Sequence, residues 1–124
     1  MKALEDKILA EGTVLPGNIL KVDSFLNHQM DPALIMELGK EIGRRFADAG
    51  VTKILTIESS GIAIAIAAGF AMNVPVLFAK KHRSSNVDGS VYSTVVHSFT
   101  HNEDYHVVVQ DDCIDASDKV LIID

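Results

Sequence analysis

The sequence predicts an α/β domain built on a central, mainly parallel sheet flanked by helices. Short apolar runs typical of buried strands occur at residues 53–57, 74–80 and 119–124. Helix-like patterns precede the first run and separate it from the second. Because strands that alternate with helices at short intervals indicate βαβ units, the strands at the centre of this sheet are expected to run parallel.

Composition narrows the class of protein. The 124 residues are 48% hydrophobic, which is enough for the core of one domain. The formal net charge of −6 argues against nucleic-acid binding through a general positive field. Since Cys113 is the one cysteine, an internal disulfide and a cysteine-based zinc site are excluded, and the sequence fits a reducing cytoplasm.

The sequence also gives no sign of export or membrane insertion. Its first twelve residues, MKALEDKILAEG, carry mixed charges and do not resemble a signal peptide. The longest apolar stretch, residues 61–72, is shorter than the roughly 18–20 residues that a membrane span needs. We therefore expect a soluble, cytoplasmic protein without a membrane partner.

The N-terminal region begins with a helix. Residues 1–11 place apolar side chains at helical spacing, and Gly12 stands where a C-terminal glycine cap is common. Residues 13–30 show no clean period, although Pro16-Gly17 indicates a turn.

Two helices are expected in the core. The first begins after Asp31, a good N-cap, and its apolar side chains recur at three- and four-residue steps until Gly50 ends the run. The second covers residues 61–73, and Ser59 or Ser60 can cap it.

The second half of the sequence predicts more strands. Residues 90–99 and 105–110 are typical of two strands around a polar turn, as in a hairpin. Residues 119–124 form a last apolar strand, which in a parallel sheet normally leads to a loop and a covering helix. Because no such helix follows, we expect residues 1–124 to be a single, incomplete domain.

The main candidate site is Glu58-Ser59-Ser60-Gly61, which interrupts the apolar pattern between a strand and a helix. Ligands of open α/β sheets bind at the carboxyl ends of strands, and helix N-termini bind anions. The alternative is that one serine is only a helix cap and Glu58 only an exposed acid. A P-loop is excluded because no lysine follows the glycine, and a serine-hydrolase elbow is excluded because no glycine precedes either serine at the required spacing.

Two weaker candidates lie at strand ends. Lys80 to Arg83 form the one dense positive patch of the sequence, suited either to a polyanionic small molecule or to a solvated strand end. Asp124 ends the last strand, where a carboxylate can accept hydrogen bonds from sugar hydroxyls or hold Mg²⁺ through water.

Other reactive side chains give weaker evidence for a functional site. His97 and His101 are four residues apart, but strand and turn patterns surround them, so this spacing does not place them on one face. The acidic neighbours of Cys113 are expected to raise the pKa of its thiol and to make it a poor nucleophile.

Five segments together resemble the type I phosphoribosyltransferases, and within that family the bacterial xanthine phosphoribosyltransferases. They are ILKVDSFLNHQMDP at 19–32, TKILTIESSGIA at 52–63, VPVLFAKKH at 74–82, SVYSTVVHSFT at 90–100 and VLIID at 120–124. The resemblance extends over essentially the whole chain.

The resemblance implies an enzyme of purine salvage. Such a transferase displaces pyrophosphate from phosphoribosyl pyrophosphate (PRPP) with a ring nitrogen of xanthine, giving xanthosine 5′-monophosphate. It also implies Mg²⁺ bound with PRPP and a homodimer. The alternatives are a guanine or hypoxanthine phosphoribosyltransferase and a non-catalytic purine-sensing regulator of the same fold. The regulator is disfavoured because the sequence shows no basic DNA-binding module.

The resemblance also implies roles for particular residues and segments. Residues 1–30 contain an N-terminal hood in which Leu20 and Asn27 line the xanthine pocket, and residues 31–124 form the α/β core. Residues 82–104 include a flexible loop that closes over the reacting centre.

For PRPP, the resemblance implies that Glu58, Ser59, Ser60 and Gly61 form the pyrophosphate loop. Lys81 matches a basic residue that reaches the pyrophosphate across a dimer interface. Asp124 matches the first of two adjacent acids in the PRPP motif. The second acid and the loop for the 5′-phosphate do not follow in this sequence. We therefore expect residues 1–124 alone to bind PRPP poorly and to be inactive, and no catalytic acid or base is identified.

Overall fold

The computed structural model describes residues 1–82, 89–98 and 103–124. These ranges contain α1 (Lys2–Glu11), β1 (Thr13–Leu15), β2 (Ile19–Lys21), α2 (Pro32–Arg45), β3 (Lys53–Ile57), α3 (Gly61–Met72), β4 (Val76–His82), β5 (Val91–Ser98), β6 (Glu103–Gln110) and β7 (Val120–Ile122). Short turns of other helix types lie at Asp23–Asn27, Ala47–Ala49 and Asp111–Cys113. None of the helices in the described ranges has the length and apolar character that crossing a membrane requires.

The central sheet has the order β5–β6–β4–β3–β7 among the described residues. β3 lies parallel to both of its neighbours, β4 and β7. β6 pairs antiparallel with β4 and with β5, so the predicted hairpin extends the sheet on one side. The α/β class and the parallel centre are as predicted, and the hairpin makes the whole sheet mixed. The parallel strands bring their carboxyl ends to one edge, where a ligand is expected.

α3 packs between α2 and the sheet. A Cβ added to Gly39 of α2 would lie 2.4 Å from the main chain of Ala67, so the two helices touch backbone to backbone. Beneath them, Ile54 of β3 is fully buried against Ala65 and Ala68 of α3. Because α3 is covered on two sides, it is apolar around most of its circumference.

The N-terminal residues without a clean sequence period fold as a hairpin. β1 and β2 pair antiparallel, and Gly17 adopts φ 86° in the turn that Pro16-Gly17 predicts. Gly12 ends α1 as predicted, but its backbone is extended rather than left-handed. Glycine is needed there for space, because a Cβ would lie 2.5 Å from the Ile8 carbonyl oxygen.

Contacts around the start of α2 fasten the N-terminal region to the core. Lys7 of α1 forms an ion pair of 3.0 Å with Asp31, the residue that caps α2. The Lys7 ammonium also lies 5.9 Å from the ring centre of Phe25, which is buried. The Asp31 cap is confirmed, since its carboxylate accepts hydrogen bonds from two main-chain N–H groups of the first turn.

Several predicted boundaries are wrong by two or more residues, and the last strand ends at Ile122, so that Asp124 lies beyond it. Two of the differences have a clear local reason. α2 ends at Arg45 rather than at Ala49, because the chain tightens into a short turn and reverses at Gly50, whose φ is 63°. β4 begins at Val76 rather than at residue 74, because the N–H of Val74 bonds to the Gly69 carbonyl at the end of α3 (3.1 Å). Backbone groups that close a helix are not available to a strand.

Candidate anion-binding site at the carboxyl edge of the sheet

The loop at residues 58–61 joins β3 to α3 at the carboxyl edge of the sheet. On one side, the main-chain N–H of Glu58 donates to the Ala79 carbonyl of β4 at 3.0 Å. On the other side, the N–H of Ile123 donates to the Leu55 carbonyl at 3.0 Å and continues the β7 pairing towards the edge. The loop therefore sits between the ends of two neighbouring strands, which is where ligands of open α/β sheets bind.

The interpretation of a loop serine as a helix cap is wrong. Ser60, which precedes α3, has helical backbone angles and makes no side-chain cap hydrogen bond. The Ser59 hydroxyl also has no hydrogen-bond partner within the ranges that the structure describes, and both serines are exposed. The uncapped first turn of α3 therefore presents main-chain N–H groups and two hydroxyl donors at the sheet edge, which suits an anion.

Gly61 brings Asp124 and β3 together beneath this turn. A Cβ added to Gly61 would lie 2.4 Å from Oγ1 of Thr56 and 2.7 Å from Oδ1 of Asp124. Any side chain at position 61 would therefore displace one of these groups. The structure thus places the Asp124 carboxylate at the N-terminus of α3, as expected if both belong to one site.

Glu58 connects the loop to the basic end of β4. Its carboxylate oxygen Oε1 accepts a hydrogen bond of 2.5 Å from the main-chain N–H of Lys81. The peptide bond between Glu58 and Ser59 is cis. The side chains of Lys80 and Lys81 are exposed, whereas Arg83, the last residue of the positive patch, lies outside the described residues. A lysine at this edge adds positive charge beside the free N–H groups of α3.

The two residues predicted to bind the base lie in the N-terminal region. Leu20 is on β2, where 45% of it is exposed. The Asn27 amide donates to Oδ1 of Asp23 at 3.3 Å, within the turn at Asp23–Asn27. Hydrogen bonds among the described residues do not join Leu20 or Asn27 to the loop. Their role in base binding therefore stays a prediction. The closing loop predicted within residues 82–104 also stays a prediction, because residues 83–88 and 99–102 lie outside the described ranges.

Among the residues that the structure describes, the remaining reactive side chains do not assemble a second site. His97 pairs with Asp104 at 2.7 Å across the β5–β6 hairpin, and His101 lies outside the described residues. The pKa of the Cys113 thiol is raised, as predicted, first by a hydrogen bond with Asp112 and then by burial. Within the described part of the chain, no three metal-ligating side chains cluster.

Sequence reasoning missed two features at opposite ends of β3. Thr56 is fully buried next to Gly61, and its place in an apolar run concealed it. At the amino end, Lys53 Nζ lies 2.7 Å from Oδ2 of Asp118 and donates to the Cys113 carbonyl. The sequence did contain one sign of this contact: Lys53 is the first residue of a buried strand, and a buried charge requires a partner of opposite charge.

Comparison with curated proteins identifies relatives over the full length of the chain. No protein-family model matches. A xanthine phosphoribosyltransferase of Levilactobacillus brevis is 54% identical over 124 residues, and one of Listeria monocytogenes is 50% identical over 124 residues. Each match covers 100% of this chain and 65% of the relative, so the chain spans 65% of the length of these relatives.

Solved structures support the fold. The APRTase of Giardia lamblia complexed with 9-deazaadenine superposes with a TM-score of 0.72 at 21% identity, covering 96% of this chain and 65% of that one. The adenine phosphoribosyltransferase of Saccharomyces cerevisiae gives a TM-score of 0.71 at 18% identity, with coverages of 98% and 71%. Both have the type I phosphoribosyltransferase fold. The fold and the sequence similarity agree: the chain has the type I phosphoribosyltransferase fold, and along its whole length it is similar to curated xanthine phosphoribosyltransferases.

Proposed function

We propose that the protein acts in purine salvage, transferring the phosphoribosyl group of PRPP to xanthine. One structural observation supports this proposal in addition to the sequence similarity. The uncapped turn at residues 59–61, the Lys81 end of β4 and the Asp124 carboxylate converge at one edge of the sheet. Donors for a diphosphate and an acceptor for sugar hydroxyls are thus adjacent, as a substrate that carries both groups requires.

In the proposed reaction, the bond between the sugar C1 and a pyrophosphate oxygen breaks, and a bond from C1 to a purine nitrogen forms. Negative charge grows on the departing pyrophosphate while C1 gains oxocarbenium character. The amides of residues 59–61 and the Lys81 ammonium would stabilise that charge, and one such donor contributes about 3–4 kcal/mol in comparable anion holes. The purine ring loses one proton as its nitrogen bonds to C1, and that proton passes to water or to the departing pyrophosphate, so none of these residues needs to take it.

Mg²⁺ is part of the proposal. The donor set fits a magnesium ion bound mainly by substrate, because Asp124 is a single carboxylate beside an anion loop and Mg²⁺ commonly combines one or two carboxylates with phosphate oxygens and water. Asp124 would hold the ion directly or through water. When bound, Mg²⁺ would neutralise part of the pyrophosphate charge.

The choice of base is assigned to the N-terminal region. Leu20 offers apolar surface to a flat ring, and the Asn27 amide can read a polar edge. Guanine is the competing substrate, since it carries an amino group where xanthine carries an oxygen. An exchange of one donor for one acceptor separates such bases by a few kcal/mol.

We also propose a homodimer in the cytoplasm. The single cysteine suits a reducing compartment, and a partner subunit would help cover exposed apolar side chains such as Phe70 on α3. A purine-sensing regulator that binds DNA is disfavoured by the net charge of −6.

The test compares four bases with PRPP and Mg²⁺ and follows nucleotide formation. Residues 1–124 are assayed alone and as a chimera followed by the remaining residues of the Levilactobacillus brevis relative. We expect the chimera to form xanthosine monophosphate faster than the guanine or hypoxanthine product, and to leave adenine nearly unused. Equal turnover of adenine would defeat the xanthine assignment. Salt-sensitive retention of a DNA duplex would favour the regulator.

A further inference from the structure

Thr56 carries a buried hydroxyl without a partner. Its relative exposure is 0%, and it is among the largest fully buried side chains of the described residues. Oγ1 has no hydrogen-bond partner within those residues. A buried hydroxyl that makes no hydrogen bond costs free energy, and valine would fill the same space without that cost. Packing therefore explains the shape of this side chain and leaves its hydroxyl unexplained.

The hydroxyl faces the candidate site. Position 61 is the meeting point, since Oγ1 of Thr56 and Oδ1 of Asp124 lie 2.4 and 2.7 Å from the point that a Gly61 Cβ would occupy. Thr56 is the next-to-last residue of β3 and Asp124 follows the end of β7, so the two groups come from neighbouring parallel strands. Gly61 supplies the space that keeps them facing each other.

The chemistry of the two groups is complementary. An ionised carboxylate only accepts hydrogen bonds, and a threonine hydroxyl has one proton to donate. Both oxygens lie within 2.7 Å of the same point, so the two groups are near neighbours in the structure. A hydrogen bond from a buried donor would fix the direction of the carboxylate, because the threonine side chain itself is held by packing.

We propose that Thr56 is a positioning residue, which donates its hydroxyl proton to the Asp124 carboxylate and holds that carboxylate towards the sugar and metal side of the ligand. This inference rests on the proposed PRPP site. Thr56 would not touch the substrate and would act through Asp124 alone. The free hydroxyl would then have its partner in the state in which Asp124 is engaged.

The chain offers a matched control on the same strand face. Thr52 precedes the other end of β3, and its hydroxyl donates to Asp118 at 2.8 Å and accepts from the Lys119 N–H at 2.9 Å. Thr52→Val therefore removes a threonine hydroxyl that has a structural role. Thr56→Val removes one that has none in the unliganded fold, and Thr56→Ser restores the donor.

Two measurements on the chimera described above, in which the remaining residues of the Levilactobacillus brevis relative follow residues 1–124, test the proposal. The first is the apparent Kd for PRPP with Mg²⁺, followed by NMR titration. The second is the χ1 rotamer of Asp124, obtained from three-bond couplings to Cγ with PRPP present and absent. Thr56→Val is expected to weaken PRPP binding about tenfold, which is the effect of one hydrogen bond to a charged group. In the PRPP complex of this variant, Asp124 should populate several χ1 rotamers instead of one. Its Tm should not fall. Thr56→Ser should bind within about threefold of the parent.

Thr52→Val should show the opposite pattern, with a lower Tm and unchanged PRPP binding. An unchanged Kd in Thr56→Val, or a Thr56→Ser variant as impaired as Thr56→Val, overturns the proposal. A weaker Kd with an unchanged Asp124 rotamer also overturns it, because the hydroxyl would then act by another route. If the parent does not bind PRPP, the proposed function fails. In that case the effect of Thr56→Val on the Asp124 rotamer, measured with Mg²⁺ and pyrophosphate present, decides the positioning role by itself.

Discussion

The carboxylate of Glu58 accepts a hydrogen bond of 2.5 Å from the main-chain N–H of Lys81. The Glu58 main chain bonds to the same strand through the Ala79 carbonyl, so one residue of the loop is fastened to β4 at two points. An acid in an anion-binding loop opposes the anion by its charge. This contact gives the acid another use, which is to set the distance between the loop and the lysine.

Replacing Glu58 separates its hydrogen bond from its charge. Glu58→Gln keeps an oxygen that can accept from the Lys81 N–H, and it removes the negative charge. We expect this variant to bind pyrophosphate with Mg²⁺ at least as tightly as the parent, and Glu58→Ala to bind about threefold to tenfold more weakly. Calorimetric titration would measure both affinities. Equal losses in the two variants would indicate that the carboxylate charge, through the metal ion, is what matters.

Lys81 is expected to act through its own charge. Lys81→Gln should weaken PRPP binding about tenfold at low salt and should flatten the dependence of the Kd on salt. Lys80→Gln is the matched control, because neighbouring side chains on a strand point to opposite faces of the sheet. A fluorescence or NMR titration at two salt concentrations separates the two variants. If both lysines had the same effect, a general field rather than a placed ammonium would bind the anion.

Two glycines of α2 make a paired test of the helix contact. A Cβ on Gly39 would lie 2.4 Å from the Ala67 main chain, whereas one on Gly43 would lie 3.3 Å from the Ala71 side chain. Gly39→Ala should destabilise the fold by about 1–3 kcal/mol through overpacking. Gly43→Ala should change the free energy of unfolding by less than about 1 kcal/mol, because the gain in helix propensity offsets a mild contact. Urea denaturation measures both, and similar losses would contradict the packing described for α2 and α3.

The ion pair between Lys53 and Asp118, at the amino end of β3, should make the stability of the fold depend on pH. The Lys53 ammonium first, then the Asp115 N–H and the Thr52 hydroxyl, lower the pKa of Asp118 from 3.8 to about 2. Because the pKa is depressed in the folded state, the stabilisation is present above about pH 4 and is lost as pH falls towards 2. Asp118→Asn should therefore have a lower Tm at pH 7 and a shallower fall of Tm between these values.

A control for this acid dependence lies on α2. Arg44 and Arg45 lower the pKa of Glu41 to about 2, so it loses its charge in the same pH window. Both arginines are exposed, however, and Glu41→Gln should change the Tm at pH 7 much less than Asp118→Asn does. Thermal unfolding from pH 7 to pH 2 compares the two variants. A larger effect at Glu41 would contradict the structural role assigned to Asp118.

The local pattern of the sequence determined the elements and their class. The cap at Asp31, the turn at Pro16-Gly17 and the break at residues 58–61 depend on neighbouring residues, and each lies where it was predicted. Helical and strand periods placed α1, β3 and α3 within a residue or two, because an amphipathic or buried segment carries its period in its own sequence. The resemblance of five segments was enough to indicate the family.

Only the tertiary structure decided which distant groups meet. Thr56 and Asp124 face the same point at Gly61, and Lys53 pairs with Asp118 although 65 residues separate them. Glu58 turned out to hold Lys81 in place, and Val74 was needed to close α3 rather than to begin β4. These contacts follow from strand order, register and the direction of each side chain, which no local period specifies. The sequence therefore named the residues of the candidate site, and the packing of the sheet assigned each of them its neighbour.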